Sequence, residues 1–264
     1  MEDKLLFAGK RKIVLILEYN GRNYFGFQWQ EDKPTVQDEI EKALWRLTKE
    51  KLRVISASRT DTGVHAKGQV VSLRTASHLS PGTFISGLNH YLPRDIAVKE
   101  AYQVASSFNI RKEAISREYK YYILNRKTRS PLSEDFSHLV KGELDTDSMN
   151  AACRALLGEH DFISFASALS ASRLKNTVRR VYEACVRRDG EMVVFTIVAN
   201  SFLPHQVRNT VGSLIRVGLG RMSVDGFKKI MGAKKPALSG PAAPAAGLYL
   251  IKVNYPFSFE EKAE

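Results

Sequence analysis

The first hundred residues alternate between short apolar runs and stretches in which apolar residues recur at helical spacing. The run Ile13 to Leu17 is typical of a buried strand. From Val36 to Leu47 an apolar residue recurs every three or four positions, and Thr35 is placed to cap a helix there. Similar patterns predict further strands at 52–58, 69–75 and 96–102 and a helix at 82–91.

The second half of the chain shows the same order of patterns. Asp189-Gly190 is a strong turn signal between two apolar runs, so it favours a hairpin. The patterns predict strands at 119–124, 178–186, 192–199 and 248–253, and helices at 149–156 and from about residue 204 onward.

Each half therefore has the order βαββαβ, which is that of a ferredoxin-like unit. We expect an α+β protein made of an N-terminal half, residues 1–107, and a C-terminal half, residues 108–264. Two such units can join into one central sheet, with a cleft between them. Because ligand sites favour junctions between domains, we expect the site in that cleft.

The charge balance changes the picture from a generic fold to a possible nucleic-acid binder. Lysine and arginine number 40 against 28 acidic residues, which gives a net charge of +12. A surplus of that size attracts phosphate backbones. Charge alone also leaves open the interpretation that the protein is basic and has no nucleic-acid partner.

Several classes of site are disfavoured by what the sequence lacks. Cys153 and Cys185 are far apart and lie in apolar patterns, so we expect free thiols, and the six histidines have no zinc-ligand spacing. There is no Walker phosphate loop, no acidic cluster at metal-binding spacing and no consensus of the RNA-recognition motif. The apolar run at Ile13 to Leu17 is too short for a signal peptide or a membrane span, so we expect a cytoplasmic protein. The spacings above also lead us to expect no bound metal.

Asp61 lies between two predicted strands in the segment Arg59-Thr60-Asp61-Thr62-Gly63. An aspartate two residues before a glycine is common in turns, so a purely structural role is one interpretation. The flanking Arg59 favours the ionised carboxylate, which would be a usable nucleophile or base. The local pattern leaves both interpretations open.

Arg208 and Tyr119 are two further candidates. A cation early in a helix is unfavourable unless an anion faces it, so Arg208 is either a ligand of an anion or an arginine at the edge of the core. Tyr119 lies on a strand that mixes basic and aromatic residues, and alternation places it on the same face as Tyr121. Such rings either stack on bases in a basic groove or fill the core.

Taken in order, these segments resemble the bacterial tRNA pseudouridine synthase A family nearly from end to end. The resemblance rests on stretches at 19–28, 35–37, 58–66, 88–96, 108–111, 117–121, 158–162, 202–212 and 243–248. The chain departs from the family pattern at Ser58, Thr62, Phe27, Asn109 and Ala242. None of these departures removes a proposed catalytic group.

The resemblance implies a pseudouridine synthase fold in which two ferredoxin-like halves share a mixed, mainly antiparallel central sheet. It implies a homodimer that isomerises uridine to pseudouridine at positions 38, 39 and 40 of the tRNA anticodon arm, without a cofactor. Asp61 corresponds to the catalytic aspartate and Tyr119 to a tyrosine that stacks on the target uracil. Arg208 corresponds to the arginine that pairs with the aspartate, and Arg59 to a residue that extrudes or holds the target nucleotide.

Two other functions remain as alternatives. A non-catalytic RNA-binding protein with two units like RNA-recognition motifs would bind RNA without forming product. A metal-dependent nuclease would need clustered acidic residues. The step performed by Asp61 also stays open, because attack on the ribose, attack on the base and deprotonation of the ribose are all compatible with a carboxylate.

Overall fold

The computed structural model describes residues 9–167, residue 172 and residues 174–261. The chain forms two compact units. The first consists of the residues up to Ile115 together with those from Leu250 onward, and the second is Ser116–Tyr249. The predicted division into halves 1–107 and 108–264 rests on the order of the elements along the chain. Compactness is a different criterion, so that division stays a prediction.

The strands and helices of the described residues follow the chain in two groups. The N-terminal group is β1 (Arg11–Tyr19), α1 (Val36–Thr48), β2 (Ile55–Ser56), β3 (His65–Thr75), α2 (Pro81–Tyr91) and β4 (Ile96–Val104). The C-terminal group is β5 (Ser116–Asn125), β6 (His138–Val140), α3 (Thr146–Cys153), β7 (Gly158–Asp161), β8 (Val178–Asp189), β9 (Met192–Ala199), α4 (Gln206–Gly218), α5 (Val224–Gly232) and β10 (Leu248–Asn254).

The first unit has the predicted order βαββαβ. Its strands lie in the order β4, β1, β3, with β2 and β10 also beside β3, and β1 is antiparallel to both of its neighbours. Leu15 and Val71 face each other across β1 and β3, and both are fully buried. Thr35 caps the N-terminus of helix α1, and its side chain accepts a hydrogen bond from the Asp38 backbone N–H. The helix buries Ile40 and Leu44 in the core.

The second unit has strands in the order β5, β9, β8, β7, with the short β6 parallel to β5. The predicted hairpin is confirmed, since β8 and β9 pair around Asp189 and Gly190 and Gly190 has a φ of +56°. Helix α4 buries its apolar face through Val211 and Leu214. The α+β class with mainly antiparallel strands is thus confirmed within each unit, while the cleft between the halves stays a prediction.

An aromatic cluster fastens the segment after β10 to the first unit. The Phe259 ring stacks on Tyr102 with centroids 5.6 Å apart, and Tyr255 and Phe257 meet Phe108 at 5.8 and 5.7 Å. The Tyr255 hydroxyl also donates to the Ile110 carbonyl at 2.7 Å. This unit is therefore completed by residues from two distant parts of the sequence.

Candidate active site

Asp61 lies in the loop between β2 and β3, at the first position of a tight turn. The Val64 N–H donates to the Asp61 carbonyl at 3.1 Å, and Gly63 has a φ of +76° that favours glycine. The turn expected from the local pattern is therefore present. Asp61 itself is half-buried, and its backbone shapes the turn.

Hydrogen bonds from the end of β1 and from the loop after it hold the Asp61 loop on both sides. The Tyr19 hydroxyl lies 2.8 Å from Thr60 Oγ1, and the Phe27 N–H donates to the Thr60 carbonyl at 3.1 Å. On the other side, the Gly63 N–H donates to the Tyr24 carbonyl at 3.2 Å. Because bonds flank Asp61 on each side, the backbone that carries its carboxylate is held in place.

The two loops approach so closely that one contact point tolerates only glycine. Gly26 has a φ of +88°, and a Cβ built there would lie 2.6 Å from the Thr60 carbonyl oxygen. Gly21 meets the backbone of Val64 in the same manner. The Gly21 N–H also donates to Nδ1 of the buried His65 at 3.2 Å, which ties this loop to the start of β3.

One arginine lies in this loop, and a second is hydrogen-bonded to the end of β2. Arg59 is exposed, and Arg111 donates through Nε to the Ser56 carbonyl at 2.7 Å. Burial and the neighbouring Arg59 lower the pKa of Arg111, although an arginine stays charged at neutral pH. Both guanidinium groups are positively charged, so this part of the loop suits an anionic ligand.

Tyr119 and Tyr121 lie on one face of β5, as alternation predicted. Both are buried, whereas Lys120 and Tyr122 on the other face are partly exposed. The Tyr119 ring is 5% exposed and meets the Phe202 ring edge to face at 5.1 Å. Tyr119 thus has an aromatic packing partner within its own unit, which fixes the orientation of its ring.

Arg208 is the third residue of α4 and is half-buried. Its Nε donates to the Ala243 carbonyl at 2.8 Å, and the Ala243 N–H donates back to the Arg208 carbonyl at 3.0 Å. The Tyr121 hydroxyl fixes the same loop by donating to the Pro244 carbonyl at 2.7 Å. Burial raises the pKa of Tyr121 and the positive charge of Arg208 opposes that rise, in keeping with a guanidinium close to this ring.

The predicted site residues therefore fall into two pairs. Asp61 and Arg59 belong to one loop of the first unit, whereas Tyr119 and Arg208 belong to the second. The pairing of Arg208 with Asp61 stays a prediction. The sequence reasoning did not single out Arg111, although it lies in one of the stretches that carry the family resemblance.

Two absences hold for the part of the chain that the structure describes. No group of three or more histidine, cysteine, aspartate and glutamate side chains is arranged to hold a metal ion there. Among the same residues, no helix combines the length and the apolar character needed to cross a membrane.

Comparison with known proteins decides the family. The profile of a family described as tRNA pseudouridine synthase matches residues 15–111 and 152–256. The chain belongs to the tRNA pseudouridine synthase family. Asp61, Arg59 and Arg111 lie in the first matched range and Arg208 in the second, while Tyr119 lies between them.

Individual relatives agree over nearly the whole chain, and the resemblance stated from motifs is confirmed. The chain is 41% identical to tRNA pseudouridine synthase A of Francisella tularensis subsp. novicida (strain U112), over 96% of this chain and 97% of that protein. It is 43% identical to the protein of the same name from Buchnera aphidicola subsp. Schizaphis graminum (strain Sg), over 94% of both. The chain is thus a member of a family of isomerases, as predicted.

Solved structures add a weaker likeness. A chain of the archaeal box H/ACA sRNP Nop10-Cbf5 complex is 12% identical with a TM-score of 0.39, over 82% of this chain and 46% of that one. The family assignment rests on the sequence matches.

Proposed function

We propose that this protein isomerises uridine to pseudouridine at positions 38, 39 and 40 in the anticodon stem-loop of tRNA, with Asp61 as the essential carboxylate. The observation that carries the proposal is the hydrogen-bonded loop that holds Asp61, in a chain that belongs to the tRNA pseudouridine synthase family. The surplus of positive charge suits a polyanionic substrate.

The reaction needs a positioned group rather than an added reagent. The bond from uracil N1 to ribose C1′ breaks, a bond from C5 to C1′ forms, and the proton that leaves C5 is balanced by one that N1 gains. No electron acceptor or nucleotide energy enters this balance. Asp61 serves this isomerisation as a nucleophile toward the ribose or the base, or as a base toward the ribose.

The remaining side chains bind and orient the nucleotide. The target base must leave its stack to reach a carboxylate, and Arg59 holds the extruded nucleotide through its phosphate. Tyr119 packs against the extruded uracil. Arg208 keeps the catalytic carboxylate ionised, a role taken from the family resemblance.

The test is to map pseudouridine in an unmodified tRNA transcript after incubation with the wild type and with Asp61→Asn. Asp61→Asn keeps the shape of the side chain and removes its charge, so we expect no product and RNA binding close to wild type. Asp189→Asn is the matched control, because it removes the same charge from an exposed hairpin whose turn also tolerates Asn-Gly.

Each result separates the candidate functions. If Asp61→Asn formed product at the wild-type rate, the proposal would be contradicted. RNA binding without product in the wild type would favour the non-catalytic RNA-binding protein. Cleaved RNA that disappears with a chelator would favour the nuclease.

We also propose that the protein acts as a homodimer in the cytoplasm, where its tRNA substrate is found. The homodimer is implied by the family resemblance. Light scattering coupled to size-exclusion chromatography measures it directly, and a monomer mass at the concentrations of the activity assay would contradict it.

A further inference from the structure

Two aromatic side chains are exposed in the loop after β1, which is hydrogen-bonded to the loop that carries Asp61. Phe25 is 43% exposed and Trp29 is 44% exposed, although rings of this size are usually well buried. Each ring has a cation over it. Lys33 Nζ lies 5.1 Å from the Phe25 centroid, and the Arg53 guanidinium lies 5.5 Å from the Trp29 centroid.

The support beneath these rings is firmly bonded. The Phe25 N–H donates to the Pro34 carbonyl at 2.8 Å, which closes the segment between them. The Trp29 N–H donates to Gln37 Oε1 at 3.0 Å, which ties that end to helix α1. A ring on a fixed backbone loses little conformational entropy when it binds, so it is suited to recognition.

The same segment is hydrogen-bonded to the loop that carries Asp61. Phe27 lies between the two exposed aromatic residues, is itself buried, and donates through its backbone N–H to the Thr60 carbonyl next to Asp61. The two exposed rings therefore flank, along the chain, a residue that is hydrogen-bonded to the neighbour of Asp61.

A cation lies over each ring, although Glu31 and Asp32 stand in the same exposed segment and Glu41 pairs with Arg53. Lys33 and Arg53 are both exposed cations, and Arg53 shares one nitrogen with the Glu41 carboxylate at 3.1 Å. A guanidinium that is bound on one side still has N–H donors for a phosphate. A ring face beside a cation matches the two parts of a nucleotide, because the base stacks and the phosphate pairs with the charge.

We infer that the Phe25 and Trp29 rings, with Lys33 and Arg53, form a stacking surface for unpaired nucleotides of RNA. The inference rests on the proposed function, since it names how that same site holds its substrate beyond the target base. An apolar peptide is the less suitable occupant, because both rings are bordered by full positive charges.

The two tryptophans of the chain make a direct measurement possible. Trp29 and Trp45 are its only tryptophans and are exposed to similar extents, at 44% and 49%. Trp45→Phe therefore leaves Trp29 as the sole indole, and Trp29→Phe leaves Trp45. A base stacked on an indole quenches its fluorescence, so each variant reports on one position.

The titrant is an unmodified anticodon stem-loop transcript with uridines at positions 38, 39 and 40, and a fully paired RNA duplex is the comparison. We expect the stem-loop to quench Trp29 strongly in the Trp45→Phe protein. We expect it to leave Trp45 nearly unchanged in the Trp29→Phe protein. The duplex has no unpaired base to offer and should quench neither.

A second measurement uses pseudouridine formation. Trp29→Ala should raise KM for the stem-loop by about tenfold, at the lower end of the effect of losing one stacked base. Trp45→Ala is the matched control, should leave KM unchanged, and removes a similar exposed indole. Trp29→Phe keeps a ring and should recover most of the loss.

The outcomes keep this inference apart from the proposed function. Normal product formation without quenching of Trp29, or equal quenching of both indoles, overturns the stacking surface and leaves the enzyme proposal standing. Selective quenching of Trp29 in a protein that forms no product supports the stacking surface and overturns the enzyme proposal. If the stem-loop does not bind, both are wrong.

Discussion

Gly26→Ala tests whether the close contact between the two loops positions the catalytic carboxylate. The new Cβ would lie 2.6 Å from the Thr60 carbonyl oxygen, whereas ordinary contacts begin at 3.4 Å, so the atoms must separate by about 0.8 Å. The backbone φ of +88° adds the strain of a left-handed alanine, which costs about 1–2 kcal/mol. Overpacking costs about a further 1–3 kcal/mol, which gives a total near 2–5 kcal/mol.

The substitution should also slow catalysis. A reacting group displaced by about 1 Å can lose two orders of magnitude in rate, so we expect single-turnover pseudouridine formation to fall tens of times. Gly190→Ala is the matched control, because Gly190 also has a positive φ, of +56°, but has no atom within 4 Å of the added Cβ. It should lose about 1–2 kcal/mol and keep the wild-type rate.

Urea unfolding and single-turnover kinetics on all three proteins complete this test. If Gly26→Ala lost no more stability than Gly190→Ala and turned over normally, the Asp61 loop would not depend on the contact at Thr60. The reasoning that links loop packing to catalysis would then be refuted.

Two further predictions concern stability. Tyr121→Phe removes the part-buried hydrogen bond that its hydroxyl donates to the Pro244 carbonyl at 2.7 Å, so urea unfolding should show a loss of about 0.5–1.5 kcal/mol, whereas Tyr182→Phe at an exposed position should change little. Burial lowers the pKa of His138 below its ordinary 6.5, so this imidazole binds a proton more readily in the unfolded chain than in the folded protein. The stabilising contribution is present above pH 6.5 and lost as the pH falls through the folded pKa. His138→Gln should therefore lose less unfolding free energy between pH 7.5 and 5.5 than the wild type, and equal losses would contradict this.

The sequence predicted elements best where the pattern was long and regular. The hairpin at Asp189-Gly190 and the strand that carries Tyr119 and Tyr121 follow from turn chemistry and alternation, which are local properties. The strand predicted at 52–58 shortens to Ile55–Ser56, because most of that segment runs as loop toward Asp61. Strands β6 and β7 and helix α5 were not predicted, since their short patterns gain stability mainly from tertiary contacts.

The site residues were predictable only from the ordered set of motifs that carries the family resemblance, and not from any one local pattern. Around Asp61 the local pattern indicated a turn, and a turn is present. What fixes that turn is Tyr19, Tyr24 and Phe27, which lie more than 30 residues earlier, and no local rule connects such distant positions. Arg111 was missed for the same reason, because only the fold brings its guanidinium to the Ser56 carbonyl.

The return of the chain to its first unit sets an order for biosynthesis. Strand β10 lies beside β3, and Tyr255 and Phe259 pack on residues made some 150 positions earlier. A ribosome has therefore made every residue of the second unit before these partners exist. The unit that holds Asp61 waits with an unpaired strand edge during that interval, so nascent chains are exposed to misassembly until the final segment is released.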